Sequence, residues 1–199
     1  MKRNFFLLAF IFLGITSAEA QKTINYGLSL AANATNITGN GISNSYYLGF
    51  SGGGFARINL NDKWNFQPEI LYNYENSKSD ASFINFYNVD GNPNASNQIK
   101  LSYISVPLLF GYKVSKLLTI NAGPQYSFLV YDNEDLLLTN KADAFKRNDF
   151  GIVAGPQIDL ANVRFFASYV FGLANINKID NRYSWYNRQI LVGMNFNLF

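Results

Sequence analysis

Between Leu117 and Tyr131 the chain changes character at every residue. Leu118, Ile120, Ala122, Pro124, Tyr126, Phe128 and Val130 are apolar, while Thr119, Asn121, Gly123, Gln125 and Ser127 between them are polar or small. A period of two belongs to a β-strand with one apolar face, because successive side chains of a strand point to opposite sides. The pattern recurs along the chain and predicts eight strands: Asn25–Asn33, Tyr46–Leu60, Lys63–Glu75, Gln98–Lys113, Leu117–Tyr131, Asp149–Leu160, Val163–Leu173 and Asn187–Phe199. Phe55 is the exception, an aromatic on an otherwise small and polar face. Pro107 removes a ladder donor within the fourth strand and predicts a bulge there.

The connections alternate in length. Short ones fall at Asn61-Asp62-Lys63, Val114-Ser115-Lys116 and Ala161-Asn162; the other four are long and polar, from Ala34 to Ser45, Asn76 to Asn97, Asp132 to Asn148 and Ala174 to Tyr186. Short turns on one rim and long loops on the other are the arrangement of an up-and-down transmembrane barrel. If Ala161-Asn162 is a two-residue hairpin, Asp159 faces Arg164 and both lie on the polar face, as pairing requires.

A water-soluble barrel shares this topology but turns its apolar face inward. Here one face carries Arg57, Gln67, Glu69, Asn121, Gln125, Ser127, Gln157 and Arg164, interspersed with glycines that suit a narrow lumen. The other is aliphatic, with Trp64, Tyr72, Tyr74, Tyr112, Tyr126, Tyr169 and Phe171 towards strand ends, the distribution of interfacial aromatic girdles. The expected fold class is therefore all-β, an eight-stranded antiparallel up-and-down transmembrane barrel in an outer membrane, with lipid as its first partner.

Composition narrows the chemistry. Of 199 residues 17% are aromatic and only 15% charged, and cysteine and histidine are both absent. That removes disulfides, thiolate and histidine nucleophile systems and His or Cys metal ligation. No clustered carboxylate or lysine pair replaces them, so no catalytic residue, cofactor or metal is expected. The net charge of +3, or +2 once Lys2, Arg3 and Glu19 are removed with a leader, is too small to suggest nucleic acid. Residues 1–20 have the parts of a secretory signal: basic Lys2 and Arg3, an apolar run from Phe5 to Ile15, and Ala18-Glu19-Ala20 as cleavage site. Cleavage between Ala20 and Gln21 would leave a barrel domain of residues 21–199.

The candidate lumen network comprises Arg57, Glu69, Gln125, Gln157, Asp159 and Arg164, with Arg57 and Glu69 placed to pair diagonally. In the second long loop Phe83, Phe86 and Tyr87 are candidate contact anchors for an envelope protein partner, or else pack within the loop or over the barrel mouth.

Four motifs carry a resemblance: Tyr103-Ile104-Ser105-Val106-Pro107-Leu108-Leu109, Asn121-Ala122-Gly123-Pro124-Gln125-Tyr126, Phe150-Gly151-Ile152-Val153-Ala154-Gly155, and Tyr169-Val170-Phe171-Gly172-Leu173-Ala174-Asn175-Ile176. In order and spacing the chain resembles the PorT-type outer-membrane β-barrel family of Gram-negative bacteria. The resemblance implies an integral outer-membrane barrel without catalytic residues, and one branch of that family is linked to protein secretion and gliding. The C-terminal segment Gly193, Phe196, Leu198, Phe199 resembles a signal for the barrel-insertion machinery, although Phe199 is one residue out of phase with the apolar alternation that ends on Leu198. Three roles stand open: a non-enzymatic structural or surface-interaction barrel, porin-like in frame and acting through four long extracellular loops; an accessory subunit of an envelope protein-secretion machine; and a narrow solute pore.

Overall fold

The computed structural model describes residues 24–87, 98–133 and 144–198, apart from the Ile84 side chain. The leader with its Ala20–Gln21 cleavage site, and Phe199, lie outside these residues. Eight strands follow one another as β1 (Ile24–Thr38), β2 (Tyr47–Asn59), β3 (Trp64–Lys78), β4 (Gln98–Lys113), β5 (Leu118–Asp132), β6 (Asn148–Leu160), β7 (Val163–Gly172) and β8 (Tyr186–Asn197), with a one-turn helix α1 (Phe83–Phe86) after β3. Each strand is antiparallel to its neighbours, and β1 pairs with β8 from Gly27↔Asn197 to Thr38↔Tyr186, so the sheet closes into a barrel without edges.

The predicted strand order is observed, with ends displaced. β1 and β3 run past the last clean alternation because Thr35–Thr38 continue to pair with β8 and Asn76–Lys78 with β4. Backbone pairing sets those ends, and it needs no apolar face. Pro107 does not create a bulge. The β3–β4 pairing is interrupted between Pro68↔Leu108 and Leu71↔Ser105 and resumes with the same offset, so the missing donor is absorbed by a gap in the ladder. The register shift of β4 lies instead between Ser102 and Tyr103, against β5.

The turns explain themselves locally. Asn61 Oδ1 accepts the N–H groups of Lys63 and Trp64, both at 2.9 Å, and Ser115 Oγ accepts those of Leu117 at 3.3 Å and Leu118 at 3.1 Å. Ala161 reverses the chain with φ 49°, placing Leu160 opposite Val163 and Asp159 opposite Arg164. At Gly155 a Cβ would stand 1.9 Å from the Ala167 carbonyl oxygen, so a larger residue there would force β6 and β7 apart.

The two faces are inverted relative to a soluble barrel. Leu48 is 77% exposed and Ile70 64%, and Leu28, Leu30, Phe50, Phe110, Ile152 and Val192 join them on the outer wall. Inside, Ser29, Asn65, Gln67, Asn73, Ser105, Ser127 and Gln157 are buried. An apolar exterior of this extent is at equilibrium in a bilayer and not in water. Trp64 and Tyr112 pack with their rings tilted at 57° and 4.9 Å between centroids next to the turns, where an interfacial aromatic belongs. Ile70 sits at the middle of β3 on this wall. Ile70→Arg is expected to weaken folding into phosphatidylcholine vesicles by about 2–4 kcal/mol, the penalty of a cation near the bilayer midplane. Equilibrium denaturant titrations would show it, and Ile70→Leu should leave the midpoint unchanged.

Candidate functional site: the layered lumen and its cap

An eight-stranded barrel is narrow enough for side chains from opposite walls to meet. Nearest the turns Asp159 gathers four groups. Arg57 Nη1 donates to Oδ1 at 3.2 Å, Gln157 Nε2 to Oδ1 at 2.7 Å, Thr119 Oγ1 to Oδ2 at 2.8 Å, and Arg164 Nε lies 3.5 Å from Oδ1. Arg164 also donates to Asn197 Oδ1, and its guanidinium stands 5.3 Å from the Phe55 ring centroid. Two guanidinium groups thus share one carboxylate.

Higher up, Glu69 accepts from Gln67 Nε2 at 2.6 Å, and Gln125 donates to Ser127 Oγ at 3.2 Å. The diagonal Arg57–Glu69 pair expected from sequence is not formed. The β2–β3 register puts Glu69 opposite Phe55, one layer above Arg57, and Arg57 turns across the lumen to β6. Glu69, Gln125 and Gln157 share a residual cavity of about 30 Å³ with Leu109, Val153 and Leu191, room for about two waters and not for a solute. Leu109, Val153, Val170 and Leu191, with Ala31 and Phe166 against them, fill the middle of the barrel.

Towards the loops a second carboxylate is held. Glu75 accepts from Asn187 Nδ2 at 2.6 Å and Gln189 Nε2 at 2.7 Å, with Asp149 and Tyr103 also buried. In the sequence Glu75 and Asp149 stand out only as ends of predicted strands, and neither is given a role. Among the described residues no group of three or more acidic side chains is placed to hold a metal ion.

The loop rim is closed by a cap of apolar side chains drawn from all four long connections: Ile42, then Phe83 and Tyr87, then Phe145, then Ile176 and Trp185. Trp185, fully buried, packs against Tyr87 at 5.3 Å, Phe145 at 5.4 Å and Phe83 at 6.3 Å between centroids, and its Nε1 donates to the Asn40 carbonyl at 3.2 Å. Arg182 Nη2 donates to the Phe86 carbonyl at 2.7 Å and pairs with Asp180, tying the last loop to α1. Phe83, Phe86 and Tyr87 are placed over the barrel mouth, the packing alternative that their sequence left open. Phe83 and Tyr87 are buried in the cap, and Phe86 is partly buried against Tyr183, so these rings join the loops to one another. Trp185, Phe145 and Ile176 escaped sequence reading. The available signal was that each polar loop carries isolated large apolar residues.

Burial pushes the Tyr87 phenol up to about 12. Because the folded cap holds this proton more tightly than the open chain, its contribution to closure is complete below the ordinary value near 10 and lost as pH rises towards 12. With Trp64 replaced by Phe, Trp185 becomes the sole indole. Its emission is expected to shift to the red above pH 10, and Tyr87→Phe should reduce that alkaline transition.

The closed barrel with an apolar wall and a polar, packed lumen defines a transmembrane barrel of the outer-membrane class; no helix among the described residues is long and apolar enough to cross a membrane, and the crossing is made by strands. Residues 18–178 match the family described as outer membrane protein beta-barrel domain, and the chain belongs to that family. Comparison with curated protein sequences finds no match. Among solved structures it is similar to Neisserial surface protein A (13% identity, 89% of this chain and 100% of that one, TM-score 0.54), to OprG from Pseudomonas aeruginosa (12%, 89% and 97%, 0.52), and to Ail of Yersinia pestis crystallised with the heparin analogue sucrose octasulfate (12%, 88% and 99%, 0.50). At these identities the likeness is one of fold. Family and fold together locate the protein in the outer membrane.

Proposed function

We propose that the protein is a non-enzymatic outer-membrane barrel with a structural or surface-interaction role, its loop rim outside the cell and its short turns in the periplasm. One observation carries this reading: the four long connections share a single apolar cap over a lumen that is itself packed. A packed lumen suits a frame more than a conduit, and joined loops offer a preformed surface. Short turns face the periplasm in barrels of this kind. The four motifs carry a resemblance to the PorT-type family, one branch of which is linked to protein secretion, and an accessory role in envelope protein export is the second reading. That reading draws support from an open, charged mouth at the turn rim.

The test begins with expression in a Gram-negative host. Unheated protein from the outer-membrane fraction should migrate anomalously on SDS gels, and protease added to intact cells should cut within the long connections alone. In planar bilayers the protein should show no steady conductance. Cleavage at the short turns on intact cells, or well-defined channels, would overturn the reading.

A further inference from the structure

At the turn rim the lumen opens into a vestibule of about 620 Å³, walled by Arg57, Arg164, Lys63, Lys113, Lys116 and Asp159 and extending to Asp62 and Asn25. Five cations against two carboxylates leave three positive charges around one mouth. Its floor and its rim differ. At the floor Arg57 and Arg164 share Asp159, and Arg164, only 4% exposed, has a buried Nη1 without a hydrogen-bond partner among the described residues. Two guanidinium groups against one partly exposed carboxylate leave a positive charge uncompensated at the floor, which favours an arriving carboxylate. At the rim Lys63 and Lys116 are exposed on two different turns and Lys113, the last residue of β4, is half-buried, and none is ion-paired among the described residues.

We infer that this vestibule is a docking site for an acidic segment of a second polypeptide, one carboxylate seated at the Arg57–Arg164 floor and others drawn to the three rim lysines. The dimensions favour a chain over a single small anion. The volume is that of a ligand pocket, and the cations are spread around the mouth, matching carboxylates spaced along a peptide. Asn25, Asn197 and Ser115 add amide and hydroxyl groups suited to a peptide backbone. Like charges concentrated in a concave mouth also raise the association rate of an oppositely charged partner. The inference supplies the partner chemistry for the periplasmic side and rests on the orientation proposed above for its cellular meaning.

The experiment uses the folded full-length mature protein in lipid nanodiscs and a fluorescent hexaglutamate peptide followed by anisotropy. Saturable binding is expected at low ionic strength, weakening as salt is raised, with hexaglutamine unbound. The triple variant Lys63→Gln, Lys113→Gln, Lys116→Gln leaves the floor intact and should weaken binding about tenfold or more, as the sum of three exposed charge pairs. Arg164→Lys keeps the charge but not the fork and should weaken binding further. Binding unchanged in the lysine triple would assign the peptide to cations elsewhere and overturn the proposal. So would absence of binding at low salt, or displacement by inorganic phosphate at equal charge concentration, which would mark a site for small anions. Should surface protease cut the turns on intact cells while the peptide still binds, the orientation falls and the site stands.

Discussion

Asp159→Asn is expected to destabilise the barrel by about 3 kcal/mol, the low end for removing one partner of a buried ion pair. Asp159 is the acceptor for Arg57, Gln157 and Thr119 and lies 3.5 Å from Arg164 Nε. Asparagine preserves shape and one carbonyl oxygen but removes the only negative charge at the floor of the vestibule, leaving two guanidinium groups to repel one another. The low end applies because the vestibule admits water, and Asp159 keeps 23% of its side-chain surface exposed. Unfolding in urea from detergent or vesicles, read as loss of the heat-modifiable band, measures the effect. The comparison that isolates charge from packing is Arg57→Met, Asp159→Leu, Arg164→Met together. Replacing a buried ionic group entirely by apolar residues is often neutral or better, so the triple variant should recover most of the lost stability. If Asp159→Asn unfolds at the wild-type midpoint, the cluster is solvated enough to be energetically idle. Its retention would then have to be explained by what the vestibule receives.

The barrel was legible because its physics is local to each strand. A bilayer outside and a polar lumen inside impose period two on every crossing, and β4 shows the predicted bounds, Gln98–Lys113. The hairpin at Ala161-Asn162 was legible for the same reason, since a two-residue turn dictates that Asp159 faces Arg164. What depends on closure was not. Whether Arg57 meets Glu69 on the next strand or Asp159 on the far wall is settled by where β8 joins β1 and by how the closed barrel directs side chains across its lumen, and neither is written in a strand's own alternation. Pro107 misled because a missing donor can be accommodated by a gap in pairing as well as by a bulge. The cap was the least visible feature. Ile42, Phe83, Phe145 and Trp185 lie far apart in sequence, in segments whose polar composition reads as solvated loop, and they become neighbours only when four loops leave the same rim.

Trp185→Ala is expected to open that cap without opening a channel. Truncating a fully buried tryptophan costs about 3–5 kcal/mol; here it removes the ring that touches Phe83, Tyr87 and Phe145 and the donor to Asn40. The loss falls on the loops more than on the strands, because the strand ladders below do not include Trp185. The heat-modifiable band should therefore persist, while protease cleavage in the connections accelerates by orders of magnitude. Trp185→Phe keeps an aromatic fill but loses the hydrogen bond, and should give an intermediate rate corresponding to about 1–2 kcal/mol. Conductance separates the two readings of the lumen. With the cap open, the path still meets Leu109, Val153, Val170 and Leu191 packed with Phe166, and the residual space there admits waters singly. Planar-bilayer recordings of Trp185→Ala should thus remain silent, as for the intact protein. Steady channels in this variant would make the cap a gate over a conducting lumen. The pore reading would then displace the structural one, and the aromatic cluster would be the element that opens it.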